Sequence, residues 1–164
     1  EIQERVNNSN IKMPSLSFNS PIGPLTVHEQ RGAITKLSWE RETNRDVSSL
    51  LFETKNQIQE YLNGTRTNFN LPQKPYGSEF QLRVWQEVAK IPYGQTASYR
   101  DLASKLSSSP RPVGTACGKN PIPIIIPCHR IIAKTGHLTG YSGRGGLDTK
   151  RLLLKLEKYV QDDN

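Results

Sequence analysis

The 164-residue chain holds two thiols, Cys117 and Cys128, and Cys128 is followed directly by His129 and Arg130. A thiol is a poor nucleophile near its free pKa of about 8.5 and needs a base or a positive field to become thiolate. His129 brings a titratable nitrogen, and Arg130 brings a fixed charge. Neighbours on an extended chain point to opposite faces, so a Cys128–His129 partnership needs a bend or a bridging water. An imidazole acting as base also needs a carboxylate to orient it, and Glu157 is the best placed in this half of the sequence. The chemistry on offer is attack by sulfur. A buried cysteine serving as apolar filler is the commoner fate, and the Cys-His pair alone does not exclude it.

Residues 121–132 lead up to and past Cys128, rich in isoleucine and with prolines at 121, 123 and 127. The run is apolar enough to bury, but those prolines forbid an ordinary central strand. It reads as a stiff wall with a reactive tip. Upstream, Ser78 and Gln81 form a capping box for a helix whose stripe is Phe80, Val84, Trp85 and Val88. Ser98 and Asp101 repeat the pattern before a short helix, and after the break at 107–110 a third helix can begin at Pro112 and run to Gly118. Two short helices around a tight break resemble a helix-turn-helix. The second is thin: Gly114, Thr115, Ala116 and Gly118 leave few long side chains to read base edges in a major groove. A last helix over residues 148–159 is expected to bury Leu152, Leu153, Leu156 and Val160.

The first lobe, residues 13–75, offers β-like runs at 16–18, 25–27 and 33–39, then a helical pattern over 46–62 stopped by Asn63 and Gly64. It reads as a small antiparallel sheet with one helix, and contains no cluster able to do chemistry. Residues 65–76, with Pro72 and Pro75, connect it to the second lobe.

Charge is spread unevenly. Residues 1–75 carry nine basic and eight acidic side chains, whereas 76–164 carry thirteen and seven, within an overall net charge of +7. Between residues 100 and 144, Arg100, Lys105, Arg111, Lys119, Arg130, Lys134 and Arg144 face Asp101 alone. A polyanion suits such a segment; on charge alone, a basic face kept for solubility suits it equally. A hydrophobic fraction of 34%, including Trp39 and Trp85, excludes a wholly disordered chain. No apolar run approaches the roughly 20 residues of a membrane span. The polar residues 1–12 read as a mobile tail without a secretory core. Two cysteines do not make a disulfide-stapled secreted domain. A cytoplasmic location is expected, nucleoid-associated, or nuclear in a eukaryotic source.

The run Asn120–Pro121–Ile122–Pro123–Ile124–Ile125–Ile126–Pro127–Cys128–His129–Arg130–Ile131–Ile132 resembles the signature of the O6-alkylguanine-DNA alkyltransferases, the methylated-DNA–protein-cysteine methyltransferases. The likeness extends through Phe80, Gln81, Val84, Trp85, Tyr93, Gly94, Ser98, Tyr99, Leu102, Ala103, Arg111, Val113, Gly114, Tyr141, Ser142, Gly143, Lys150 and Glu157. It covers the second lobe, while the first lobe fits loosely.

The resemblance implies an α/β (α+β) fold. An N-terminal sheet-plus-helix lobe of RNase H-like type would occupy residues 13–75. A mostly helical DNA-binding and catalytic lobe with a winged-helix-like helix-turn-helix would occupy 76–164. It implies DNA repair by direct reversal: Cys128 takes the alkyl group from O6 of guanine, or O4 of thymine, in one irreversible SN2-like step without a cofactor. The implied partner is double-stranded DNA containing alkylated guanine, bound through the minor groove by a monomer, with cooperative binding along the duplex also compatible. The lesion nucleotide would be flipped out at a cost of a few kcal/mol.

By the same resemblance, His129 takes the thiol proton through a water, Glu157 holds His129, Tyr99 assists the departing base and Asn120 braces the turn. Arg111 enters the space vacated by the flipped nucleotide, with Ser98, Thr115, Ala116, Lys119 and Arg130 at the DNA. Ile131, Tyr141, Ser142 and Gly143 line the pocket.

Two features depart from the family pattern. Pro112 stands where a helix former is expected after Arg111, which bears on the pose of that arginine. The stretch 143–146 is two residues longer than the common form, which bears on tolerance of bulky alkyl groups; Arg144 within it reads equally as a phosphate contact or a solvated charge. No metal site is expected, since Cys117, Cys128, His129 and His137 lack zinc-ligand spacing. His28 and His137 are expected at the surface or in turns. Three other readings compete: a non-catalytic lesion binder, whose known forms have Trp where Cys128 stands; a helix-turn-helix regulator with an incidental cysteine; and a Cys-His hydrolase, for which no oxyanion motif is visible.

Overall fold

Alternating polar and branched residues near the start of the chain form three strands, β1 (Ser15–Phe18), β2 (Leu25–Gln30) and β3 (Ala33–Ser38), in an antiparallel sheet of that order. A computed structural model of the chain describes residues 13–133, 141 and 146–158. The expectations for residues 1–12, Lys134, His137, Ser142, Gly143, Arg144 and Val160 lie outside the described residues. Register places Leu16 opposite Val27 and Val27 opposite Leu37, so one sheet face is apolar and buried. Arg31 and Gly32 join β2 to β3 with positive φ at both positions, the geometry that matches strand twist in a two-residue hairpin. His28 is a strand residue rather than a turn residue, paired through Nε2 with Glu42 at 2.6 Å.

Helix α1 (Ser49–Leu62) covers the sheet with Leu51, Ile58 and Tyr61. It begins three residues later than the apolar pattern suggests because the Ser48 side chain caps it, accepting from the Leu51 amide. The outer edge of β3 is tied to the rest of the chain through the backbone. Ile34 N–H donates to Pro72 O (2.8 Å), Lys74 N–H to Ile34 O (2.9 Å) and Leu37 N–H to Pro121 O (2.9 Å).

In the second lobe α2 (Glu79–Ala89) has the expected reciprocal capping box between Ser78 and Gln81. Trp85 anchors it, its indole N–H donating to Ala116 O at 2.9 Å. Gly77 must be glycine here, since a Cβ would stand 2.6 Å from the Trp85 ring. A short strand β4 (Ala97–Ser98) leads into α3 (Tyr99–Lys105), and after a turn α4 (Pro110–Gly118) follows. Helix α4 starts two residues earlier than expected. Pro110 and Pro112 both fall in its first turn, where amide hydrogens have no intrahelical acceptor, so neither ring costs a hydrogen bond. Pro112 therefore leaves the helix behind Arg111 intact.

A 3₁₀ turn (Cys128–Arg130) and strand β5 (Ile131–Ile132) come next, β5 pairing in parallel with β4. Helix α5 (Leu147–Leu156) closes the described structure. Its buried face is Thr149, Lys150, Leu153 and Leu154, whereas Leu152 is 45% exposed. Leu153 of the expected stripe is buried and Leu156 packs partly against the core, while Lys150 takes the inward place expected of Leu152. Among the described residues no helix is long and apolar enough to cross a membrane.

Candidate active site

All residues from Ile122 to Ile132 are buried, Pro121 before them is half-buried, and the chain reaches Cys128 through a strained loop. Ile124 lies at φ 75, a left-handed conformation that a β-branched residue rarely adopts. Such a residue costs about 1–3 kcal/mol and persists only where its surroundings over-determine it. Asn120 supplies much of that. Its Oδ1 accepts from Ile122 N–H (2.9 Å), and its Nδ2 donates to Ile126 O (2.8 Å) and to Cys128 Sγ (3.2 Å). Ile126 N–H donates in turn to Ile122 O (2.9 Å). One side chain thus clamps both ends of the loop and touches the sulfur it presents.

The 3₁₀ turn supplies the bend that the Cys-His pair required. His129 is fully buried, and its Nε2 lies 2.6 Å from Glu157 Oε2. Arg130 sits beside it, donating through Nε to Glu157 Oε1 (2.8 Å), through one terminal nitrogen to Oε2 (3.1 Å) and through the other to Ile91 O (2.7 Å). The Gly94 amide donates to Glu157 Oε1 (3.1 Å) and the Tyr61 hydroxyl to Oε2 (2.5 Å). Burial alone would raise the Glu157 carboxyl, but the bonds from His129, Arg130 and Tyr61 hold it down to about 2. An ionised carboxylate only accepts, so the His129 nitrogen facing it carries the proton. His129 Nδ1 is buried without a hydrogen-bond partner among the described residues, and is left with its lone pair. Burial lowers the His129 pKa despite the carboxylate, because Arg130 already balances that charge. The imidazole is a neutral base.

Cys128 is 5% exposed. The influence of the Cys117 thiol, together with burial, pushes the Cys128 thiol well above its ordinary value. The resting sulfur is a thiol, and a base must act on it during reaction. Arg130 contributes no free positive field, since Glu157 takes its charge. Lys150, fully buried, bears on the Cys128 thiol electrostatically, donating to Ile131 O at 2.5 Å and lying 5.9 Å from the Tyr99 ring centre. Burial pulls its ammonium down to about 8, while Cys117 and Cys128 oppose that shift. The Tyr141 hydroxyl is buried without a hydrogen-bond partner among the described residues, and its ring meets Trp39 edge-on at 6.4 Å. Burial raises its pKa, and Cys128 adds to the rise.

The structure brings Cys128, His129, Glu157 and Asn120 together, with Tyr99, Ile131 and Tyr141 around them. Arg111, Thr115 and Lys119 form a separate group on the exposed side of α4, joined by Gly118, whose missing side chain would meet nothing within 4 Å. Glycine there fills no packing need and leaves the outer face bare. Three residues assigned to DNA contact lie elsewhere. Arg130 is buried in the Glu157 cluster. Ser98 is buried and caps α3, accepting from the Asp101 amide at 3.0 Å. Ala116 is buried against α2. Sequence reasoning missed Tyr61, Cys117 and Lys150 as neighbours of the site. Only the burial of Tyr61 was readable, from its place on the apolar stripe of α1.

A family model described as the ribonuclease-like domain of 6-O-methylguanine DNA methyltransferase matches residues 16–75, and the DNA binding domain of the same family matches residues 79–159. An inducible methylated-DNA–protein-cysteine methyltransferase of Bacillus subtilis is 44% identical over 151 residues, covering 86% of this chain and 82% of that protein. The crystal structure of the Mycobacterium tuberculosis O6-methylguanine methyltransferase superposes with a TM-score of 0.80 at 36% identity, covering 93% of this chain and 97% of that one. The M. tuberculosis protein solved in complex with DNA gives 0.77 at 40% identity, covering 88% and 92%.

Proposed function

Since the chain belongs to the 6-O-methylguanine DNA methyltransferase family, a family of single-turnover DNA-repair enzymes, we propose that Cys128 is its alkyl acceptor and His129 the base that prepares it. The observation that carries this reading is the state of the imidazole. Glu157 fixes the proton on one ring nitrogen, which leaves the other basic and buried one residue from the sulfur. The thiol proton passes to His129 Nδ1 through a bridging water. The thiolate attacks the alkyl carbon, and the S–C bond forms as the C–O6 bond breaks. The departing guanine anion takes the Tyr99 hydroxyl proton, which is restored from solvent as His129 releases the proton it took from the thiol. The thioether product has no leaving chemistry at neutral pH, so each molecule acts once. Asn120 holds the sulfur in place, and Tyr141 and the Ile131 backbone border the pocket.

Residues 76–164 bind double-stranded DNA through the minor groove, as a monomer, and residues 13–75 support them. The bare outer side of α4 supports close approach to a groove floor, with Thr115 and Lys119 at the backbone and Arg111 filling the gap left by the flipped nucleotide. O4-alkylthymine is a second substrate of the same site.

Intact mass measurement after exposure to an O6-methylguanine oligonucleotide tests the assignment. One methyl increment on Cys128 and none on Cys117 is expected. Cys128→Ser should abolish transfer and keep DNA binding. Methyl on Cys117, or transfer by the serine variant, overturns it. An O4-methylthymine oligonucleotide in the same assay tests the second substrate.

A further inference from the structure

We propose that Tyr61, a first-lobe residue, is a positioning residue for alkyl transfer: its hydroxyl occupies the carboxylate oxygen that holds His129, and so sets how firmly the imidazole keeps a proton. The proposal rests on His129 being the base that prepares Cys128. Tyr61 stands in the last turn of α1 and is fully buried. Phe69 packs on its ring with 5.3 Å between centres, and Tyr93 meets it edge-on at 6.2 Å. So held, the hydroxyl lies 2.5 Å from Glu157 Oε2 and 3.4 Å from His129 Nε2. Core packing alone is satisfied by phenylalanine. A buried hydroxyl is costly unless bonded, and this one is aimed at a charge.

The two carboxylate oxygens are loaded differently. Oε1 accepts from Arg130 Nε and the Gly94 amide, whereas Oε2 accepts from Tyr61, His129 and a terminal Arg130 nitrogen. A carboxylate oxygen offers about two lone-pair sites, so three donors on Oε2 must share them. Tyr61 therefore limits the hold of Glu157 on an imidazolium, and His129 stays neutral with Nδ1 open. Burial and the Glu157 charge push the Tyr61 hydroxyl pKa up, so it donates throughout the working range. The other groups facing this pair are Arg130 from the 3₁₀ turn and Lys150 from α5, which both oppose an imidazolium, and the Tyr93 phenol beside Glu157. These stay in place when one phenolic oxygen is removed.

The test compares wild type with Tyr61→Phe and with Phe69→Leu, which loosens the packing of the ring and keeps its hydroxyl. One readout is the ¹⁵N ring shifts of His129 against pH, without substrate. The other is the rate of methyl transfer from an O6-methylguanine oligonucleotide between about pH 4.5 and 7.5, scaled to the plateau of each protein. With a donor gone from Oε2, Glu157 grips the imidazolium harder. In Tyr61→Phe the His129 titration and the acid limb of the rate should both move up by about 0.5–1 pH unit. Phe69→Leu should lower the urea midpoint and leave both in place. The proposal is overturned if the Tyr61→Phe titration coincides with wild type, or if Phe69→Leu moves it as far. Should Tyr61→Phe fail to fold, wild type alone decides. A slowly exchanging Tyr61 hydroxyl proton with a cross-peak to the His129 ring supports the proposal, and exchange at the rate of free tyrosine overturns it. A titration shift with no acid limb in any protein overturns His129 as the base. An acid limb in wild type that Tyr61→Phe leaves unmoved overturns the role of Tyr61 alone.

Discussion

The cluster around Glu157 and the outer face of α4 are both rich in polar groups, yet they are built on opposite rules. Glu157 is 2% exposed and receives donors from His129, Arg130, Tyr61 and Gly94, three different stretches of backbone converging on two oxygens. Arg111, Thr115 and Lys119 share one helix and face outward; the Thr115 hydroxyl bonds only back to Arg111 O at 3.1 Å. A buried ion that loses a partner is left uncompensated, while an exposed one is re-solvated. Damage to the first region should therefore appear as lost stability and chemistry, and damage to the second as lost affinity.

Glu157→Gln is the sharpest test of the contrast. It leaves the Arg130 guanidinium buried without a countercharge, with Ile91 O and one amide oxygen as acceptors, and should cost about 3–5 kcal/mol in urea unfolding. Methyl transfer should slow by about 10²-fold or more with the imidazole no longer oriented. Unchanged stability would break the comparison at its stronger end. Tyr61→Phe should cost about 1.5–3 kcal/mol by removing one bond to a charged group, while a gel-shift assay should show DNA affinity unchanged.

Acid should act on the same region. The His129 pKa lies below 6.5 in the folded protein, so the unfolded chain binds more protons as pH falls beneath that value and stability declines. Glu157 titrates at about 2 when folded against 4.5 ordinarily, adding a further loss as pH falls through 4.5. The urea midpoint should be level near pH 7 and fall in two stages below it. Above pH 8 the lowered Lys150 makes it rise, since the unfolded chain keeps that proton up to 10.5. Glu157→Gln should remove the lower stage.

At the weaker end, Arg111→Ala should slow repair in duplex DNA more than reaction with free O6-benzylguanine. A change of about 0.9 in the log–log salt slope would make Arg111 a phosphate clamp instead. Equal losses on both substrates would count against a flipping role. Thr115→Ala should move stability by no more than about 0.5 kcal/mol.

The parts of this arrangement legible in the sequence were those whose signal is local or motif-like. The capping box at Ser78, the apolar stripe of α2, the proline-bound approach to Cys128 and the association of Cys128, His129 and Glu157 are of that kind. Arg130 misled because a cation in a basic segment reads as a phosphate contact, and only folding reveals that a carboxylate 27 residues away claims it. Lys150 misled for a related reason. Hydropathy counts lysine as solvent-facing, so the α5 stripe was read from its leucines, which holds for Leu153 but put Leu152 inside in place of Lys150. Tyr61 was readable as core but not as a donor, because its hydroxyl reaches an acceptor 96 residues along the chain. Cys117 gave no signal of its influence on the Cys128 thiol, since an eleven-residue separation says nothing about how two buried thiols bear on each other.

The phenol of Tyr61 has a consequence for how such proteins can be recombined. The first lobe carries no reactive group of its own, yet it contributes one atom to the charge balance behind the nucleophile. Exchanging that lobe for another of the same shape would transplant the scaffold and leave a carboxylate one donor short, unless the incoming α1 carried a hydroxyl at the same place. The two halves of the chain are thus obliged to be inherited as a pair.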